Sequence, residues 1–311
     1  MERKQLAVAQ VALAALLWGA DSIVPFPALA RIPAQTLIFY EHLLGLLFLI
    51  PFVLRPSRRE LGRLRWRHVF PLFLVGIAGE TFAGFFFGRS YASVGGVSAA
   101  FLQMLQPFFV LGLVSMLGRE KANSSYLSWA MSIFLGSMVV WIFDPSFDVQ
   151  IFEEPRFWRG SGWGVLAVFL WAASNVSGKL LLEEFSASSL LFLRWTLSLF
   201  GLGAGIRMSG SFPGWEIFSD INFVLQGLAH LVFFALLPLW IFYLGLKQLP
   251  ASLATFIELV CPLALIFLPW ILGSRRLHEA QWLGGLFVII GIFLIVRLEL
   301  DFLPKQKKER E

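Results

Sequence analysis

Apolar runs of membrane-crossing length take up nearly all of this chain, and they restrict its possible folds more than any motif does. A helix needs about 20 apolar residues to cross the hydrocarbon core of a bilayer. Runs of this kind can be read at roughly 6–27, 34–54, 70–91, 97–117, 124–143, 161–182, 188–208, 222–246, 251–272 and 280–298. Only short loops remain, so the expected fold is all-α and integral to the membrane, with ten transmembrane helices and no soluble domain. Composition agrees: 14% of the residues are charged, too few for an ordinary water-facing surface, which brings soluble domains to about 25%.

The chain also repeats itself. L-L-W-G-A-D-S (Leu16–Ser22) returns as F-L-W-A-A-S-N (Phe169–Asn175), and L-I-F-Y-E-H (Leu37–His42) as L-L-F-L-R-W (Leu190–Trp195). Trp18 and Trp171 are 153 residues apart, as are Phe39 and Phe192. V-S-A-A-F-L-Q-M-L-Q-P (Val97–Pro107) returns as S-L-A-T-F-I-E-L-V-C-P (Ser252–Pro262) at a spacing of 155, which also relates Gly118 to Gly273 and Gly136 to Gly291. A spacing held over several helices marks an internal duplication. The expected division is a first repeat over 1–143, an acidic outer linker over 144–160, a second repeat over 161–300 and a basic tail over 301–311. Five helices per repeat is an odd number, so the second copy enters the membrane upside down. Two inverted repeats around a central cavity is an architecture of secondary transporters, which hold substrate near the midplane between the halves.

Arg3 and Lys4 before an apolar run, with Ala28-Leu29-Ala30 after it, resemble a cleavable leader. The length of the run, Asp21 within it and its echo at Trp171 favour a retained helix. With the N-terminus inside, the inner segments hold 17 Lys and Arg and the outer ones 7, Arg275 and Arg276 among them. The positive-inside rule therefore places both termini in the cytoplasm. The pI of about 9.6 follows from that asymmetry, and no nucleic-acid partner is expected. Trp141, Trp158, Trp163, Trp215, Trp270 and Trp282 fall near the outer interface, as an aromatic belt would. The lone cysteine, Cys261, allows no internal disulfide and no Cys-based metal site. Neither a metal nor a cofactor is expected.

An ionisable side chain inside the membrane costs about 2.5–3.5 kcal/mol on insertion scales and so asks for a reason. Glu41 and Arg194 occupy equivalent positions of the two repeats, as do Gln103 and Glu258. The expected pairs are Arg194 with Glu258 and Glu41 with Gln103. They can be static staples that fix helix register or symmetry-related gates, and both readings stand. Pro107 and Pro262 each remove a backbone donor, freeing the carbonyls of Gln103 and Glu258 at two equivalent kinks. Glu80 and His230 face apolar counterparts, Ala235 and Val75. A scaffold alone would keep the symmetry, so these two are candidates for contacting substrate or exchanging a proton. His42 reads more simply as a satisfied structural histidine. Asp21 matches Ser174, and Ser22 matches Asn175. Gly84 and Gly88 are spaced for close helix contact. Phe85, Phe86 and Phe87, with Trp18, Trp171, Trp195 and Trp240, could line an apolar pocket or face lipid.

Two five-helix repeats, each opening on L-W-[GA] and closing with a proline-bearing helix, a Gly turn and a Gly-bearing last helix, resemble the EamA domain of the drug/metabolite transporter superfamily. The resemblance covers nearly the whole chain. It implies a basket of helices around a cavity and a carrier of small metabolites, often an exporter of amino acids or related compounds, in the bacterial inner membrane. The family's arginine in the second helix of each repeat is matched by Arg194, while Glu41 stands in its place in the first repeat. Its acidic residue after the Gly turn is matched by Glu120, with Arg275 in the second repeat. The expected function is secondary transport of a small amphiphilic metabolite by alternating access, as an exporter, with a proton as a candidate coupling ion. The chain is expected to act as a monomer or homodimer in the bilayer and not as an enzyme. The alternative, an embedded enzyme or carrier acting on lipid, predicts clustered catalytic groups, whereas His42, His68, His230 and His278 are scattered. No Walker A pattern is present to support ATP-driven transport.

Overall fold

The computed structural model describes residues 2–21, 23–54, 58–120, 124–210 and 218–308, and no strand occurs among them. Ser22, Arg55, Lys121, Trp215 and Arg310 lie outside the described residues. The long helices are α1 Glu2–Asp21, α2 Ala34–Leu54, α3 Trp66–Val94, α4 Gly96–Met116, α5 Ser124–Ile142, α6 Pro155–Leu181, α7 Ala187–Ser209, α8 Ile221–Gln248, α9 Ala251–Ile271 and α10 Glu279–Lys308. Among the described residues, 8 helices can cross a membrane by length and hydropathy, namely α2 to α4 and α6 to α10, and α5 contains a shorter apolar helix, Tyr126–Ile142. α1 is as long as a membrane helix, but Glu2, Arg3, Lys4 and Asp21 lower its hydropathy. Pro155 opens α6, so the stretch expected to be a linker over 144–160 is helical in its last residues.

Local chemistry sets the ends of these helices. The Ser186 hydroxyl accepts from the Ser189 N–H at the start of α7, and the Asp220 carboxylate accepts from the N–H groups of Asn222 and Phe223 at the start of α8. α4 and α9 close with one and the same turn. Gly118 and Gly273 have φ of 64° and 70°, a left-handed conformation that favours glycine. The following N–H groups reach back to Val114 O and Pro269 O, each at 2.9 Å, the six-to-one bond of a Schellman cap. The Gly118–Gly273 match in sequence is thus one geometry built twice.

Both helices are also interrupted. α4 breaks between Gln103 and Gln106, directly before Pro107, and α9 breaks at Leu259, directly after Glu258. α3 and α8 carry a different irregularity, a π-helical stretch at Leu74–Phe82 and at Leu231–Leu236. These two stretches overlay at the 155-residue spacing. π-turns insert extra backbone and collect at functional sites; nothing in the sequence pointed to them.

In packing, α1 lies on α8 and α9, and α6 lies on α3 and α4; α2 meets α7, α4 meets α9 and α5 meets α10. The buried core is richest around α7, α8 and α9, where Trp195, Phe242, Tyr243 and Phe256 are almost fully enclosed. Gly84 and Gly88 do not serve close contact as expected: a Cβ at either would meet nothing within 4 Å. The close approach of α3 occurs at Gly79, where a Cβ would lie 2.4 Å from the Ser174 Cβ of α6. Trp141 also departs from the belt reading. Its indole N–H donates to Ser98 Oγ at 3.0 Å and its ring stacks on Phe101, whereas Trp158, Trp163, Trp270 and Trp282 are exposed.

Candidate functional site

The helix breaks and π-stretches surround a central cavity of about 360 Å³, large enough for a small-molecule ligand. Glu41, Glu80, Gln103, Arg194, His230 and Glu258 all line it, so one chamber holds every polar candidate read from the sequence. Pro262 also lines it, while Pro107 is buried in α4 beside Gln106. Its walls are aromatic: Trp18, Trp171, Trp195, Phe234 and Phe242. Of the other expected pocket residues, Phe86 stacks on Trp163, Phe87 packs against Trp171, and Trp240 stays outside the lining.

The polar residues sort into three groups, and the pairs differ from those expected. Arg194 does not pair with Glu258. Its Nε and Nη2 both donate to Glu80, and its Nη1 donates to the Tyr243 hydroxyl at 2.9 Å. The second Glu80 oxygen lies 3.3 Å from His42 Nε2. His42 is fixed in turn by a hydrogen bond to Ser198 and by stacking on Trp195. Glu80 lies within the π-stretch of α3, outside the repeat-equivalent positions on which the expected pairing relied.

The second group is built on His230, whose Nδ1 bonds Glu41 and whose Nε2 lies 3.0 Å from Asp21. Glu41 therefore meets His230 rather than Gln103, whose side-chain oxygen is buried without a partner. Both groups join the repeats, with the acids supplied by the first (Asp21, Glu41, Glu80) and the bases Arg194 and His230 by the second. Glu258 stands apart as the third. Its Oε2 accepts from Asn175 Nδ2 at 2.8 Å and, more loosely, from Gln106 Nε2 at 3.5 Å. No cation pairs with it among the described residues. The sequence reading gave no role to Tyr243 or Ser198; for Tyr243, a lone hydroxyl in the apolar run between His230 and Lys247 was the available signal.

A second, wider cavity of about 890 Å³ adjoins the first, sharing Trp18 and bounded by Asp21, Asp144, Arg275 and Arg276 among others. At its rim Asp144 takes Arg275 and, at 3.2 Å, Gln281 Nε2. A further set of contacts ties the two repeats together. Glu60 accepts from Ser186 N at 2.9 Å and Ser189 Oγ at 2.7 Å. Glu184 takes Arg67 at 2.7 Å and His68 at 3.4 Å, and Glu183 takes Arg119 at 3.3 Å. Glu120 accepts from the Ala251 and Ser252 N–H groups at 2.7 and 3.2 Å and from the Ser252 hydroxyl. Every one of these contacts joins the first repeat to the second. Burial would raise the Glu60 carboxyl, but the hydrogen bonds from Ser186 and Ser189, with Lys247 nearby, hold it below its usual value. Lys179 donates to the Leu246 and Lys247 carbonyls that end α8.

The chamber can therefore enclose a small molecule between aromatic faces and offer it amide and carboxyl groups. Among the described residues, no group of three His, Cys, Asp or Glu could hold a metal ion. The chain is similar to the riboflavin transporter ImpX of Fusobacterium nucleatum subsp. nucleatum, with 25% identity over 306 residues that cover 93% of this chain and 96% of the relative. A protein of known crystal structure matches with a TM-score of 0.74 over 94% of this chain and 98% of its own, at 16% identity. That second likeness concerns the fold. The model of the EamA-like transporter family matches twice, over residues 5–142 and 158–297. A membrane protein built of two such repeats, this chain belongs to the EamA-like transporter family.

Proposed function

We propose that this protein is a secondary transporter that moves a planar, aromatic, hydrogen-bonding metabolite across the inner membrane by alternating access. The observation that carries this reading is the central cavity, with three tryptophans in its wall and the amides of Gln103, Gln106 and Asn175 around it. Aromatic walls favour a flat ring system through stacking, and amides direct a ligand that presents both donors and acceptors. A relative named as a riboflavin transporter supports a flavin-like substrate.

Alternating access is supported by the packing of the helices. Exchanging the halves carries the α1 contacts with α8 and α9 onto those of α6 with α3 and α4, and it returns the α2–α7, α4–α9 and α5–α10 pairs to themselves. Ten spans in two inverted repeats produce this pattern. On this reading the described state opens through the cavity at Asp144 and is closed at the end held by Glu60, Glu120, Glu183 and Glu184. Positive-inside charge makes the closed end cytoplasmic, and the family resemblance favours export.

Counterflow in proteoliposomes tests the proposal, with labelled riboflavin outside and unlabelled riboflavin inside. Uptake above that of empty liposomes, suppressed by Trp171→Ala, is the expected result. Uptake of tryptophan or a polyamine in its place would favour a second reading, in which a cationic amine, as in an amino acid, meets Glu258. The carboxyl without a cation is what recommends that second reading.

A further inference from the structure

We propose that Glu258 is the site at which this carrier binds and releases a proton, so that substrate moves in exchange for protons. The inference rests on the transporter reading above. Four carboxyls lie in or beside the central chamber, and three are tied to bases: Glu80 to Arg194 and His42, and Glu41 and Asp21 to His230. A carboxylate held by a cation keeps its charge through a conformational cycle. Glu258 has only amide N–H donors, and a buried carboxylate without a counter-ion is costly. A proton removes that cost.

The geometry suits reversible exchange. Both amide bonds fall on Oε2, which leaves Oε1 to carry the proton toward the cavity. In one state the O–H bond forms at Oε1 with a proton that bulk hydronium supplies through cavity water. In the other it breaks, returning the proton to water and leaving the carboxylate on the amides of Asn175 and Gln106. No other reactant is needed.

Glu258 also ends the first half of α9, next to the break at Leu259, so its backbone adjoins an interruption that can change shape between states. The charged and titratable groups around it are accounted for. α4 and α6 present amides; α1 presents Asp21, α2 Glu41 and His42, and α3 Glu80. α7 presents Arg194, α8 Tyr243 and His230, and α9 itself Cys261. Arg194 acts on Glu258 at longer range, while its own donors go to Glu80 and Tyr243.

The duplication supplies an independent argument. The position equivalent to Glu258 in the first repeat is Gln103, which has the shape of a protonated glutamate and cannot lose the proton. One half holds the fixed neutral form and the other the form that switches. A cycle that passes one proton per turnover needs one such site.

The test uses the full chain, purified and reconstituted, with riboflavin as the probe. Wild type should accumulate riboflavin on the acidic side of the membrane, toward about tenfold per pH unit for one-to-one exchange, because the limiting substrate ratio then equals the proton ratio and each tenfold step is worth about 1.4 kcal/mol. It should also release close to one proton per riboflavin bound, read with a pH dye in weakly buffered detergent. Glu258→Gln should release none, and its counterflow should lose the pH dependence of wild type. Glu258→Asp, which keeps a carboxyl, should retain proton release, and it decides the matter if the glutamine variant does not fold. Proton release that survives in Glu258→Gln, or wild-type counterflow indifferent to a pH gradient, overturns the assignment while leaving the carrier reading intact. If wild type moves polyamine without proton release, Glu258 is an amine site and the assignment falls. If wild type moves no probe at all, the carrier reading falls first and takes this inference with it.

Discussion

Arg194 directs three of its nitrogens at two partners, Glu80 and Tyr243, and a guanidinium so placed cannot be left alone. Glu80→Gln should destabilise the protein by about 3–5 kcal/mol, the range for a buried pair broken on one side. The double variant Arg194→Gln/Glu80→Gln should recover part of that loss, as read by thermal unfolding in detergent. Strictly additive losses would show that the two residues are not energetically coupled. At the wall, Trp171→Ala should weaken riboflavin binding by roughly 0.5–1.5 kcal/mol beyond the loss of buried area, measured by quenching of flavin fluorescence. Unchanged affinity would remove Trp171 from the site. Much of the chamber was legible at this scale, because polar residues in apolar helices are few and Glu80 and His230 broke the repeat symmetry. Their partners were not legible. Whether Arg194 meets Glu80 or Glu258 depends on how α3 and α7 are rotated, and a π-stretch alters that rotation without a mark in the residues.

Helix ends and crossings set the next level of control. Glu60 caps α7 from the loop before α3, and Glu120 caps α9 from the loop after α4, each carboxylate placed at a positive helix terminus. Because the Glu60 carboxyl is held below its usual value, the folded state binds a proton there less readily than the unfolded chain does. Its contribution is therefore present above the unfolded carboxylate pKa of about 4.3 and is lost as pH falls through the depressed value. Glu60→Gln should lower stability at pH 7 by about 1 kcal/mol, as cap losses do, and the difference should shrink toward pH 3. A difference that stays constant across that range would rule out the ionised cap. Glycine gives a paired test: Gly79→Val should destabilise by roughly 1–3 kcal/mol through overpacking, and Gly84→Val should not. Residue spacing alone favoured Gly84 and Gly88; which glycine meets a neighbour depends on the face α3 turns to α6. The broken helices were legible because proline states its effect locally.

At the scale of the whole molecule, the contacts of Glu60, Glu120, Glu183 and Glu184 form a seam, each joining one repeat to the other. Cysteines replacing Arg67 and Glu184, whose side-chain tips meet at 2.7 Å, should halt counterflow when joined by a reducible bis-methanethiosulfonate linker, and reduction should restore it. Full counterflow with the link in place would show that this seam need not open. The architecture was the most legible property of all, since a near-constant spacing between matches from Leu16 to Gly136 reports a duplication before any contact is known.

In the centre the first repeat brings all three carboxyls of the two charged clusters, with His42 as its one base, and the second brings Arg194 and His230. Two first repeats facing each other would set Asp21, Glu41 and Glu80 against their own copies, and two second repeats would do the same with Arg194 and His230. Divergence after duplication has thus written a rule of partner choice into the chamber. Severed between α5 and α6, the halves should recognise each other and reject themselves, so an ancestral assembly of identical subunits is a state to which this sequence can no longer return.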